Sequence, residues 1–291
     1  MESFKKYLQL IYKYKYQITS IFVILVVIVS TILIHQYYNF WTFDKLDYNK
    51  TQIERLPKDL NTFSFAVMWD NRDGDWVLEN IIKLNNKDKD ILFDINWWDL
   101  VSDGFQKEFV DYLKLIKLSK KPFISIIWNH EYPWYDWEKN YKIMFWKTYF
   151  SFHIWNNDFI ILDDSDEKWL DKIQFNWFLT ELEKSKKYKN KFVFMHVPLY
   201  DPRKWYLKEW HSLKNLKQVK ILNNLFDKYH ITMVFASHIH FYYRWKWKKT
   251  PFIITWWAWA PLKKYKWHWF HNYIKVTIWK DTVNYKVMKV K

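Results

Sequence analysis

Six side chains of metal-binding type follow short apolar runs in this chain. Asp70 follows the run 63–68, Asp99 the run 90–95, and Asn129 the run 122–127. His196 follows the run 191–195, and both His238 and His240 follow 231–236. One Asp or His after a strand is ordinarily a cap or a turn residue. Five such strand ends together predict one rim lined with ligands, because open α/β sheets bind ligands beyond the carboxyl ends of their strands. The set mixes carboxylate oxygen with imidazole nitrogen and has no sulfur, since the chain has no cysteine. That chemistry suits Mn, Fe or Zn better than Ca. It is enough for two divalent metal ions sharing one carboxylate, the arrangement that clamps the attacking and leaving oxygens of phosphoryl transfer. His238 and His240, two residues apart, project to the same side if that segment is extended.

The elements that would position these residues alternate. The five apolar runs read as buried strands, and amphipathic stretches at 76–87, 105–118, 170–186 and 213–228 read as helices between them. This is βαβ-like and predicts a sheet covered by helices, an α/β (α+β) architecture. Residues 152–153 and 158–162 suggest a hairpin, and 273–278 with 282–287 a second one. No internal repeat is present, and 62–291 reads as one domain.

The first sixty residues differ. Residues 18–34 carry no charge and are mostly apolar or β-branched. At about 1.5 Å per residue a helix there falls just short of a 30 Å bilayer core, and its flanks extend it. Tyr12, Tyr14 and Tyr16 precede the run and Tyr37, Tyr38 and Phe40 follow it, like an interfacial aromatic belt. Lys5, Lys6, Lys13 and Lys15 lie on the amino side only. The expected organisation is a cytoplasmic basic segment at 1–17, a transmembrane anchor at 18–36, a linker at 37–61 and an outward-facing domain. A cleavable signal peptide is the rival, but no small-x-small site follows the run.

Composition adds two constraints. The net charge of +15 comes from scattered lysines without a nucleic-acid module, which reads as a solvated surface. The chain also has 22 Trp and only 2 Gly, against about 20 Gly expected at ordinary usage. Trp97-Trp98-Asp99 and Trp256-Trp257-Ala258-Trp259-Ala260-Pro261 occupy places where turns ask for glycine. Most of these Trp read as UGA codons that specify glycine under another genetic code's rules. The rival is a Trp-rich glycan-binding module, and codon inspection separates the two.

With Trp taken as Gly, the strand ends become Gly-Asp70-Asn71-Arg72, Gly-Gly-Asp99, Gly-Asn129-His130-Glu131, His196 and Ser237-His238-Ile239-His240. These resemble the ordered motifs of calcineurin-like metallophosphoesterases across residues 62–290. Gln174-x-x-Trp177 is similar to a helix motif of that family, so Trp177 reads as a true tryptophan. The resemblance implies a two-sheet β-sandwich flanked by helices and hydrolysis of a phosphomonoester or phosphodiester. It implies that Asp70 and His240 bind one metal, that Asp99 bridges, and that Asn129, His196 and His238 bind the other. A bridging hydroxide would attack phosphorus. His130 would protonate the leaving alkoxide or steady the transition state, with Glu131 orienting it. Two positions depart from the pattern. Arg72 replaces the usual histidine, either as a grip on substrate phosphate or as an ion-pair partner of Asp73 or Asp75. Ser237 replaces a glycine. A noncatalytic, anchored binding protein with a degraded first metal site is the alternative function. The remaining histidines, His211 and His271 among them, have no motif support.

Overall fold

The computed structural model describes residues 2–41, 45–69, 75–97, 100–101, 105–127, 137–165, 169–203, 211–239, 242–254 and 271–290. The chain divides into two units, Met1–Asp44 and Lys45–Lys291. The first is a single helix, α1 (Glu2–Trp41). Its stretch Tyr12–Leu33, 22 residues, is long and apolar enough to cross a membrane. Side chains such as Phe22, Val23, Ile24 and Leu25 are exposed along it. An apolar helix in water gains nothing from such exposure, so it needs an apolar partner or a bilayer.

The second unit holds the other elements. In chain order they are α2 (Tyr48–Glu54), β1 (Thr62–Trp69), α3 (Asp75–Lys87), β2 (Ile91–Trp97), α4 (Gln106–Ile116) and β3 (Phe123–Ile126). Then come α5 (Trp137–Met144), β4 (Phe150–Ile154), β5 (Asn157–Ile161), α6 (Lys172–Ser185), β6 (Asn190–Phe194) and α7 (Leu216–Lys228). The chain closes with β7 (Met233–Ala236), β8 (Tyr243–Trp247), β9 (Thr250–Ile254), β10 (His271–Trp279) and β11 (Thr282–Val290). They build two sheets, ordered β11-β10-β1-β2-β3 and β4-β5-β6-β7-β9-β8. The parallel neighbours β1–β2, β2–β3, β5–β6 and β6–β7 are each joined through a helix, the usual crossover, whereas the parallel pair β7–β9 has β8 between its strands in sequence.

The main core contains residues from both sheets. Phe65 stacks on Phe93 at 5.3 Å and meets Phe159 and Phe192 edge-on, each also at 5.3 Å. Each such aromatic pair adds about 0.5–1.5 kcal/mol beyond burial. Alternate residues serve a second core: Ala66 and Met68 of β1 join Val77, Leu78, Ile81 and Ile82 of α3. The period of two along β1 and the helical spacing along α3 therefore make a layered α/β/β arrangement out of one pattern.

Two backbone features bear on the glycine reading. Trp146 has φ 127°, in a region that only glycine enters easily. Trp155, at the β4–β5 turn, has φ 50°. Lys248 and Lys280 have similar angles in their own hairpin turns, φ 49° and 54°. Trp146 is thus the more telling of the two.

Candidate functional site

Within each sheet the parallel strands end level with one another. Trp69 of β1 pairs with Trp97 of β2, which pairs with Ile126 of β3. In the second sheet Phe194 of β6 pairs with Phe235 of β7. Asp70, Arg72, Asp99, Asn129, His130, Glu131 and His240 lie outside the described residues. The structure therefore locates two members of the expected set, His196 and His238, and brings them together. His196 Nε2 and His238 Nδ1 are 2.9 Å apart, with ring centroids 4.7 Å apart.

His196 is buried and held from behind. Both oxygens of Asp164 accept backbone N–H groups, one from His196 and one from Val197, each at 2.7 Å. Asp164 is itself positioned through its neighbour. Gln174 of α6 accepts from the Asp163 N–H at 2.7 Å and donates to the Asp163 carbonyl at 2.6 Å. The Gln of the Gln174-x-x-Trp177 motif thereby fixes the loop that fixes His196. Trp177 rests against Tyr149 at 4.9 Å. Burial pushes the Asp164 carboxyl up to about 8, against the opposing pull of the two backbone N–H groups.

His238 has φ 59°, and Ile239 N–H donates to Ser237 O at 2.6 Å. That bond closes a three-residue γ-turn, a tight conformation for a residue with a Cβ. The expectation that His238 and His240 project to one side assumed an extended segment. The backbone instead turns at His238, so that condition is not met. Ser237 N–H also donates to His196 O at 3.1 Å, tying the two turns together.

A third imidazole joins the pair. The His211 ring lies 5.4 Å from the His238 ring. His211 was set aside in the sequence because no motif includes it. Its placement comes from Asp201, a buried carboxylate that accepts from the His211 N–H at 3.2 Å and from Arg203 Nε at 3.1 Å. A bond between residues ten apart was not legible as a pattern. His271, at the start of β10, meets Trp76 edge-on at 5.3 Å. Burial lowers its pKa.

The donor chemistry fits a divalent metal. Two imidazole nitrogens 2.9 Å apart share one proton, which a cation could replace. Two nitrogens bound at about 2.0–2.1 Å to one ion lie about 2.9–3.4 Å apart in octahedral or tetrahedral geometry. Among the described residues no group of three or more His, Cys, Asp or Glu is arranged to hold a metal.

The arrangement is the calcineurin-like metallophosphoesterase fold. A purple acid phosphatase from yellow lupin seeds superimposes with a TM-score of 0.60 at 16% identity, over 80% of this chain and 52% of that one. This chain thus spans about half the length of the lupin enzyme. A dimetal phosphatase from Danio rerio gives 0.61 at 11% identity, over 78% of this chain and 96% of that one. A Plasmodium protein described as the anchor in the inner membrane complex gives 0.54 at 12%, over 80% and 90%. Comparison by sequence finds no matching family profile and no matching curated protein.

Proposed function

We propose that the chain is a membrane-anchored, outward-facing metallophosphoesterase. The observation that carries this reading is the contact of His196 with His238 at the ends of adjacent parallel strands in this fold. His196, His238 and Asn129 would hold one divalent ion, Asp70 and His240 the other, with Asp99 shared. Bound metals would supply Lewis-acid polarisation of the phosphoester and a lowered pKa for water. The chain's own residues do the rest. His130 passes a proton to the leaving alkoxide, Glu131 orients its ring, and Arg72 grips a phosphoryl oxygen. Asp164 keeps the His196 turn in place. The metal is Mn, Fe or Zn, and the substrate is a phosphomonoester or phosphodiester. Residues 18–36, most of which fall in the apolar stretch Tyr12–Leu33, would be the anchor, and Lys5, Lys6, Lys13 and Lys15 on its amino side favour a cytoplasmic amino terminus.

Most tryptophans in this reading are glycine positions, supported by Trp146 at φ 127°. Mass spectrometry of peptides covering Trp97-Trp98 and Trp146 from native protein tests it, and indoles at all three positions would refute it.

The noncatalytic, anchored alternative is favoured by one observation, Arg72 in place of histidine. A similarly folded protein is also described as an anchor. Turnover separates the two readings. The native full-length chain, stripped with chelator and resupplied with Mn²⁺, should hydrolyse an aryl phosphate. The absence of any metal-restored turnover would leave the anchored binding protein.

A further inference from the structure

The seven-residue helix α2 lies in the stretch expected to be linker, yet its Asn49 is fully buried. β3 is the outer strand of the first sheet, so the N–H and C=O of alternate residues face away from β2. At Ser125 those two groups are taken by one side chain. Asn49 Oδ1 accepts from Ser125 N–H at 2.9 Å, and Asn49 Nδ2 donates to Ser125 O at 2.6 Å. The carboxamide thus acts as a single rung of a further strand. Tyr141 of α5 adds its hydroxyl, donating to Ser125 O at 2.7 Å and accepting from Asn49 Nδ2 at 3.1 Å. The Ser125 hydroxyl bonds Tyr112 of α4 at 2.9 Å, and Tyr112 accepts from Asn96 Nδ2 of β2 at 2.7 Å. Asn49, Ser125, Tyr112 and Asn96 therefore form a hydrogen-bonded line across β3 and β2.

We propose that Asn49 is a positioning residue that locks the register of β3 against β2 just before the chain reaches the proposed ligands Asp99, Asn129 and His130 in sequence. This rests on the metallophosphoesterase reading. β3 is only four residues long, so its own ladder with β2 holds it weakly. A slip of one residue would turn every side chain of the strand to the other face. Asn96 precedes Asp99 by three positions, and Ser125 precedes Asn129 by four. The line therefore crosses just before both ligand-bearing ends.

The test is Mn²⁺ binding by equilibrium dialysis, per folded full-length chain in detergent. Asn49→Ala should weaken Mn²⁺ affinity by about 10–100-fold, the usual effect of losing support behind metal ligands. Tyr141→Phe, which keeps the ring and removes the two bonds of its hydroxyl, to Ser125 O and from Asn49 Nδ2, should weaken it several-fold, and it decides the matter if Asn49→Ala does not fold. Asn190→Ala is the control. It breaks a buried bond to Asn157 Oδ1 of 2.8 Å at the amino ends of β5 and β6 and should leave affinity unchanged. If Tyr141→Phe binds Mn²⁺ like wild type, or Asn190→Ala weakens binding as much, the positioning role is refuted. If wild type itself binds no Mn²⁺, the metallophosphoesterase reading falls and this role falls with it.

Discussion

Ser125 of β3 and His196 beyond β6 are both gripped through their backbones by a buried side chain, but the two grips differ in cost. Asn49 holds Ser125 with neutral groups, and Tyr141 and Tyr112 complete the bonding. Asp164 holds His196 with a carboxylate buried away from solvent and pushed up to about 8. Next to it His238 sits at φ 59°. The neutral network stabilises, since each satisfied hydrogen bond is worth about 0.5–1.5 kcal/mol net. The strained cluster destabilises, since one residue in the left-handed region costs roughly 1–3 kcal/mol. Backbone strain and a buried carboxyl that burial keeps largely protonated are concentrated where two imidazoles meet, which is where the proposed chemistry lies.

The largest difference between the two regions should appear in activity. His196→Ala or His238→Ala should abolish metal-dependent turnover, while Asn190→Ala, far from both clusters, should not. Equal loss in all three would show that the histidine pair has no special role.

Stability should separate them in the opposite direction. Asn49→Ala leaves the buried Ser125 N–H without its acceptor and the Ser125 C=O with the Tyr141 hydroxyl alone, and urea unfolding should show a loss of roughly 1–3 kcal/mol. His238→Gly relieves the turn and should gain about 1 kcal/mol while losing turnover. A destabilised His238→Gly protein would contradict the assignment of strain to that turn.

The pH dependence of stability has a definite sign. Burial raises Asp94 to about 7, with Asn85, Lys121 and Ser119 opposing. Burial and the nearby Glu181 raise Asp158 to about 7. Both folded values exceed the unfolded one, so between about pH 4 and 7 the folded chain binds more protons than the unfolded chain. Stability therefore falls as pH rises through that window, by up to about 1.4 kcal/mol per pH unit for each group, and Asp164, raised to about 8, extends the fall beyond it. Asp94→Asn should flatten the slope in urea unfolding at stepped pH. An unchanged slope would show that Asp94 does not titrate there.

Trp146→Gly should give a smaller gain, because relief at φ 127° outweighs the contact with Phe150 at 5.2 Å. A loss of about 3–5 kcal/mol, usual when a packed tryptophan is deleted, would oppose the glycine reading at that position.

Local pattern made much of this legible. The run 63–68 became Thr62–Trp69, and the stretch 76–87 became Asp75–Lys87. Apolar periodicity carried both. α2 was not legible, because YNKTQIE has no apolar stripe and Asp47 makes no side-chain cap. Its helix is placed by Asn49 meeting a strand 76 residues away. β8 was missed because Arg244 and Lys246 alternate with aromatic residues on an exposed edge. The histidine pair followed from strand ends, whereas His211 depended on the Asp201 clamp. The turn at His238 escaped because the backbone departs from the extended form just where the motif begins.

Elemental analysis of the native full-length chain tests the central claim most directly. Wild type should hold two divalent ions per chain, and His196→Ala/His238→Ala should hold one or none while its circular dichroism stays native. Equal metal content in the two proteins, or none in wild type, would contradict the account.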